Sequence, residues 1–394
     1  MISVVIVSYN VKYYLAQCVL SVERSLLAAG AEIIVVDNAS ADGSADYIES
    51  QFPKVRLIRN KENLGFARAN NLAAGEAKGE YLLFLNPDTI VSEHTLGECV
   101  AFMDSNPKAG AIGVRMCNSD GSFAPESRRS LPTLSVSFCK MTGLCRLFPK
   151  SKNLGRYYLG YLDKREINRI EVVSGAYMMV RKDVFHSIGG FDQAFFMYGE
   201  DIDISYRILQ TGYQNWYLPA LIIHYKGEST VKTSYRYVKT FYDAMLIFYN
   251  KHYRHYSVIL SAVVYLVVLV QAAVSFLKNN IFSSRNTRAL ISKENKNFIV
   301  LGAPETMERV RLLLEKYYPD GKHKFVEGNQ VSLVKGHADM DIDFSIFHYV
   351  VYDVDSFSFK CMIEAISLTA GNNLRLATFS LLTGVLITEQ EVLI

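Results

Sequence analysis

The sequence has 394 residues, half of them apolar, with 42 lysines and arginines against 39 aspartates and glutamates. That length holds two domains, and 12% aromatic with 21% charged residues excludes a disordered or collagen-like chain, which lacks the apolar surface to offset ordering entropy. A net charge of +3 is too small to indicate nucleic acid, although three stretches, 140–169, 224–256 and 278–296, carry +6, +4 and +4 on an otherwise acidic chain.

In chain order, Ile2–Val7 reads as a first strand, with no basic, cleavable leader before it, so the catalytic part is expected in the cytosol. A helix follows with apolar positions Val11, Leu15, Val19, Val22 and Leu26, ending at Gly30. Ile33–Val36, Val55–Ile58 and Tyr81–Leu85 read as further strands. Strands alternating with helices imply a mostly parallel sheet, where ligands bind beyond the carboxyl ends of the strands. The loops at those ends are Ser8-Tyr9-Asn10, Asp37-Asn38-Ala39-Ser40 and Asn86-Pro87-Asp88. The first contains no glycine, which removes the main support for a dinucleotide-binding hydride-transfer enzyme.

Beyond residue 110 the pattern loosens. The basic, partly apolar stretch Leu134–Tyr161 reads either as a surface lying on an anionic leaflet or as an irregular loop over the sheet. A strand, Ile170–Val173, opens into Ser174-Gly175-Ala176, a helix covers about Glu200–Gln210, and Leu218–Ile223 is strand-like. Ser257–Leu277 is uncharged over 21 residues, enough at about 1.5 Å per residue to cross a hydrocarbon core of roughly 30 Å. It is expected to span or embed in a membrane, the alternative being a buried interdomain helix; basic residues on both flanks give no orientation. The division expected is 1–235 as the catalytic domain, 236–295 as a membrane-associated segment and 296–394 as a small accessory α/β (Rossmann-like) domain. In the last, Ala303-Pro304-Glu305 stands where a phosphate loop needs glycines. A single span would put that domain across the membrane from the catalytic one, which an embedded or re-entrant helix avoids. The six cysteines show neither CxxC nor zinc spacing and read as reduced core thiols.

Several residues in this frame carry chemistry. Asp37, closing an apolar strand, suits a nucleotide base or ribose, or equally the cap of a helix. Asp88, in a turn fixed by Pro87, is placed where a divalent cation bridges a carboxylate to a diphosphate; an ordinary strand-end turn has the same composition. Asn63-Leu64-Gly65 opens a helix whose first N–H groups suit an anion, with Arg68 adding charge, against the bland reading of a solvated helix. Glu200, Asp201 and Asp203 crowd a helix head. Asp203 pairs with Arg207 at (i, i+4), and repulsion between Glu200 and Asp201 makes one a candidate general base. His224 ends a strand beside a glycine-containing loop, within reach of a metal, though a lone histidine is more often structural.

Taken in order, Ser8-Tyr9-Asn10, Asp37-Asn38-Ala39-Ser40, Asn63-Leu64-Gly65-Phe66, Asn86-Pro87-Asp88, Gly189-Gly190-Phe191-Asp192, Gly199-Glu200-Asp201-Ile202-Asp203 and His224-x-x-Gly227 resemble the inverting family 2 glycosyltransferases of the GT-A fold, nearest the rhamnosyltransferase-like branch that builds bacterial surface polysaccharides. The resemblance covers about residues 1–230. It implies that Asp37 recognises the base, that Asp88 is the metal-binding acid of the DxD motif, that Asp201 is the catalytic base and that His224 completes a Mg²⁺ or Mn²⁺ and diphosphate site. Ser8, Tyr9, Asn10, Asn38, Asn63, Gly65, Arg68 and Asn86 then belong to the donor side, and Gly175 and Glu200 to the acceptor or sugar. The first acid of DxD is Asn86 here, so weaker metal binding is expected. The implied activity is transfer from a deoxythymidine diphosphate-rhamnose or uridine diphosphate-hexose donor to a saccharide or lipid-linked saccharide, at the cytoplasmic face of the bacterial inner membrane. A catalytically silent sugar-nucleotide-binding scaffold of a membrane assembly is the competing reading.

Overall fold

The computed structural model describes residues 1–26, 31–225, 235–253 and 296–394. Nine strands form the first sheet: β1 (Ile2–Ser8), β2 (Ala31–Asp37), β3 (Arg56–Arg59), β4 (Tyr81–Leu85), β5 (Thr89–Val91), β6 (Ala109–Cys117), β7 (Asn168–Ile170), β8 (Tyr177–Arg181) and β9 (Gln214–His224). Their order is β3-β2-β1-β4-β8-β6-β9-β5, with β7 beside β9. Pairs β1–β2, β1–β4, β2–β3 and β6–β9 are parallel, while β8 and β5 run antiparallel to their neighbours. The expected α/β sheet is therefore mixed and mostly parallel. Both of its faces are covered, because alternate residues of one apolar run point opposite ways. Val4 and Ile6 pack with the helix Lys12–Leu26, and Val5, Ile34 and Phe84 pack with the helices Gly65–Glu76 and Glu200–Gln210.

The second sheet holds β10 (Phe298–Gly302), β11 (His323–Glu327), β12 (Tyr349–Asp353), β13 (Arg375–Ser380), β14 (Val385–Ile387) and β15 (Val392–Leu393), in the order β11-β10-β12-β13-β14-β15. The two sheets share a core. Val11, Tyr14, Ile90, Ile223 and Tyr225 of the first unit form one buried cluster with Phe359, Met362, Ile366, Leu376 and Ile387 of the second. Directional bonds fix the contact: Tyr14 Oη donates to the Thr388 carbonyl (2.8 Å), Leu376 N–H to the Ser119 carbonyl (2.8 Å), and the Glu93 carboxylate accepts the N–H groups of Phe359 and Lys360 (2.8 Å each) at the head of the helix Phe359–Leu368. An arrangement with the two units on opposite sides of a bilayer is thereby excluded.

No helix among the described residues is long and apolar enough to cross a membrane; Ser257–Leu277 and the loop at Gly227 lie outside them. The helix Tyr235–His252 packs on the first unit, since Lys251 and His252 both reach Asp203 (2.8 and 2.7 Å). The stretch 134–161 is ordered as the helices Leu134–Met141 and Leu144–Leu147 with a short turn at Arg156–Tyr158, instead of an irregular loop. All six cysteines are buried and free.

Candidate active site at the strand ends

Register sets the first half of the site. Ser8 pairs with Asp37 at the ends of β1 and β2, and Asn38 N–H donates to the Ser8 carbonyl (2.8 Å). Asp37 Oδ2 accepts the Ser40 N–H (3.0 Å), while its Oδ1 and the Ser8 hydroxyl are buried without a partner. The two loops are laced together: Asn10 N–H donates to Ser40 Oγ (3.0 Å) and Asn10 Oδ1 accepts from Ala41 N–H (2.7 Å). Asn10 and Ala39 hold positive φ (55° and 65°), the kind of backbone strain that a surrounding network must maintain. Tyr9 is left exposed beside them.

Two expectations for this half change. Asn38 is buried and its amide is spent on bracing, giving to Asn63 Oδ1 (2.9 Å) and accepting from Asn60 Nδ2 (2.9 Å) and Leu64 N–H (3.1 Å). The first two N–H groups of the helix Gly65–Glu76 are likewise taken up within the protein. Gly65 N–H bonds Asn63 Oδ1 (2.9 Å) and Phe66 N–H bonds the Phe196 carbonyl (3.1 Å). At φ +75° a Cβ on Gly65 would lie 2.7 Å from that carbonyl oxygen, so glycine is needed for the close approach. Arg68 is exposed on the same helix.

The pairing of Thr89 with His224 between β5 and β9 brings His224 to the turn after β4. His224 Nε2 lies 3.3 Å from Asp88 Oδ1 and 3.4 Å from Asn86 Nδ2, and His224 Nδ1 is buried without a partner. Donors 3.3 Å apart suit two ligands of one ion at about 2.1 Å each, and such ions commonly take one or two protein ligands plus phosphate oxygens. Asp88 and His224 thus fit a divalent cation shared with a diphosphate. No group of three or more His, Cys, Asp or Glu poised for a metal exists among the described residues.

Across the turn 174–176 stands the acid cluster. Asn86 N–H bonds the Ala176 carbonyl (3.0 Å), and Gly175 N–H bonds Asp201 Oδ2 (3.2 Å), so one turn joins both halves. A Cβ on Gly175 would lie 3.4 Å from Asp201 Cβ. Arg129, which the sequence reading missed, pairs through Nη2 with the same Asp201 Oδ2, both side chains being nearly buried. Its only trace in the sequence is the doublet Arg128-Arg129 in an otherwise sparsely charged loop. The three acids separate by environment. Asp203 is fully buried among Arg207, Lys251 and His252 and is structural. Glu200 is buried with Oε2 unpartnered, and burial, helped by the charge on Asp201, pushes its carboxyl up to about 8. Asp201 keeps a guanidinium counter-charge. The two neighbouring carboxyls thus sit in different surroundings.

Parts of the chain are similar to known proteins. Residues 3–189 match the family described as glycosyl transferase family 2. An N-acetylglucosaminyl-diphospho-decaprenol L-rhamnosyltransferase of Mycobacterium tuberculosis is 28% identical over 261 residues, covering 62% of this chain and 82% of its own. Rhamnosyltransferase WbbL of Escherichia coli (strain K12) is 31% identical over 172 residues, 41% of this chain and 61% of its own. Among solved structures, a mannosyltransferase of Pyrobaculum calidifontis in complex with GDP-Man and Mn²⁺ is 18% identical, covers 74% of this chain and 81% of that one, and superposes with a TM-score of 0.45.

Proposed function

Because the chain belongs to glycosyl transferase family 2 through residues 3–189, we propose that it moves a rhamnose or hexose unit, with inversion, from a nucleotide diphosphate-sugar to a lipid-linked saccharide in cell-surface polysaccharide synthesis. The observation that carries this reading is the pair of acids on either side of one turn: Asp88 with His224 on one side, and the Arg129-bound Asp201 on the other.

In this reading Asp37 receives the base through its unpartnered Oδ1, with Ser8, Tyr9 and Asn10 around it. Asp88 and His224 would hold Mg²⁺ or Mn²⁺, which supplies charge neutralisation for the departing diphosphate. Asp201 takes the proton of the acceptor hydroxyl as its oxygen bonds the anomeric carbon. The bond from that carbon to the diphosphate oxygen breaks, and the electron pair leaves with the nucleoside diphosphate. One displacement inverts the centre, and no carboxylate nucleophile is needed.

The lipid-linked acceptor is supported by the printed name of the mycobacterial relative and by a surface near the acid cluster. There the helices Leu134–Met141 and Leu144–Leu147 expose Leu134, Phe138, Leu147 and Phe148 beside the exposed Arg146, Lys150 and Lys152, the composition of a face that rests on anionic lipid. Work at the cytoplasmic face of the bacterial inner membrane belongs to the same proposal. Its test is mass spectrometry of the product formed with Mn²⁺, a donor panel and a lipid-linked acceptor pool. A mass gain of one deoxyhexose or hexose on the lipid-linked species is expected, whereas transfer only to free saccharides would overturn the lipid acceptor.

A further inference from the structure

Arg128 and Arg129 are neighbours that face opposite ways, as successive residues do when their backbone is extended; Arg129 is bridged to Val172 in antiparallel fashion, its carbonyl accepting the Val172 N–H (2.9 Å). Arg128 reaches the carbonyls of Asp163 (2.8 Å) and Leu162 (2.6 Å) and lies over Phe123 and Tyr217. Arg129 instead pairs with Asp201 Oδ2, its Nη2 also lying 3.4 Å from the Val173 carbonyl. The charged and titratable groups around this pair are Glu200 on the helix of Asp201, Tyr157 hydrogen-bonded to Arg129, and Lys140 beyond them. With the Gly175 N–H on the same oxygen, Asp201 is held from two directions at Oδ2, and Oδ1 takes no hydrogen bond from the described residues.

We propose that Arg129 is the positioning residue of the transfer step: it fixes Asp201 by Oδ2 so that Oδ1 is the oxygen presented to the acceptor hydroxyl. This rests on the reading of Asp201 as the base. A guanidinium stays charged throughout, so it stabilises the carboxylate before proton transfer and loses its counter-ion afterwards, which favours release of the proton once the product forms. The same Nη2 is also held by the Val173 carbonyl, so the guanidinium approaches Oδ2 from a fixed direction, which a freely rotating lysine ammonium does not keep. The neighbouring Glu200, without such a partner, holds its own proton and does not compete for that of the acceptor.

The test compares Arg129→Lys with Arg128→Lys, each first checked for an unchanged unfolding transition. Arg129→Lys should lower acceptor-dependent kcat about ten- to hundredfold, the weight of a charge-assisted hydrogen bond, leave donor KM within about twofold, and move the acid limb of the transfer profile to higher pH. Arg128→Lys should move neither kcat nor the limb. Adding Arg129→Lys to Asp201→Asn should cost little more than Asp201→Asn alone, and guanidinium ion should restore part of the activity of Arg129→Ala; if that variant does not fold, the lysine variant decides. A normal kcat and limb in Arg129→Lys, or a loss fully additive to that of Asp201→Asn, overturns the positioning role. Near wild-type activity of Asp201→Asn overturns the base itself and the role of Arg129 with it, so the two failures are distinct.

Discussion

On the proposed donor side, Ser8, Asp37 and Asp88 stand at the ends of β1, β2 and β4, and local loops lace themselves around them through bonds such as Asn10 to Ser40 and Ser40 to Asp37. On the acceptor side, Asp201 depends on Arg129, 72 residues earlier, and on a turn between β7 and β8. The donor side is a lattice of local hydrogen bonds around Asp37 with one cation-ready pair. The acceptor side is a cluster of buried charges that balance one another. The contrast teaches that a sheet supplies a ligand-binding edge almost for free, because parallel strands end together, while a proton acceptor needs a partner brought from elsewhere in the fold.

The sharpest way to break the comparison is at the base. Asp201→Asn keeps the size of the side chain and removes the proton acceptor, so acceptor-dependent turnover should fall by about two to four orders of magnitude, read as nucleoside diphosphate release. Survival of near wild-type turnover would move the role to Glu200.

The next effect reaches the donor side from behind. Tyr14 is buried between the two units, its ring edge-on to Tyr225 (5.7 Å) and its hydroxyl on Thr388. Tyr14→Ala should destabilise the protein by about 3 kcal/mol, the usual cost of emptying an aromatic core site, measured by chemical unfolding. The same shared core predicts that a chain ending near residue 235 exposes Ile90, Ile223 and Tyr225 and aggregates. Unchanged stability in either case would mean that the C-terminal unit is a separable appendage.

For the cation pair, Asp88→Ala and His224→Ala should each weaken Mn²⁺-dependent donor binding by about 1.5–3 kcal/mol, with little effect when the metal is chelated. The two losses should be non-additive if both residues hold one ion. Additive losses would place His224 outside the site.

The smallest effect concerns Glu200. Its carboxyl is raised from 4.5 to about 8 in the folded protein, so below 4.5 both folded and unfolded forms are protonated and the group costs nothing. As pH rises from there through 8, the unfolded chain ionises first and stability falls. Glu200→Gln removes this loss. Its melting temperature should exceed that of the wild type by a few degrees at pH 8 and match it near pH 4.5. A gain that is independent of pH would point to packing instead.

Much of the donor side was legible in the sequence because its signals are local. Apolar runs gave β1, β2, β3 and β4 within a residue or two, and the polar residues after β1, β2 and β4 fell at the strand ends as expected. The errors there came from competition for backbone groups. The helix head at Gly65 looked open, but the carbonyl of Phe196, far along the chain, accepts the Phe66 N–H there, and Asn38 looked ligand-facing until Asn60, Asn63 and Leu64 claimed its amide. The acceptor side was half legible. Three acids at a helix head were visible, but which one is neutralised depends on Arg129, Lys251 and His252, which only tertiary contact brings there. The same holds for the shared core of the two units, since β-strand patterning says that a residue is buried and not against what.

The most direct measurement titrates donor affinity and acceptor-dependent turnover side by side for Asp88→Ala and Asp201→Asn in the presence of Mn²⁺. Asp88→Ala is expected to lose donor affinity, and Asp201→Asn to bind donor like the wild type while losing turnover. If Asp201→Asn loses donor affinity as much as Asp88→Ala does, or keeps its turnover, the division into a donor-holding half and a proton-accepting half is contradicted.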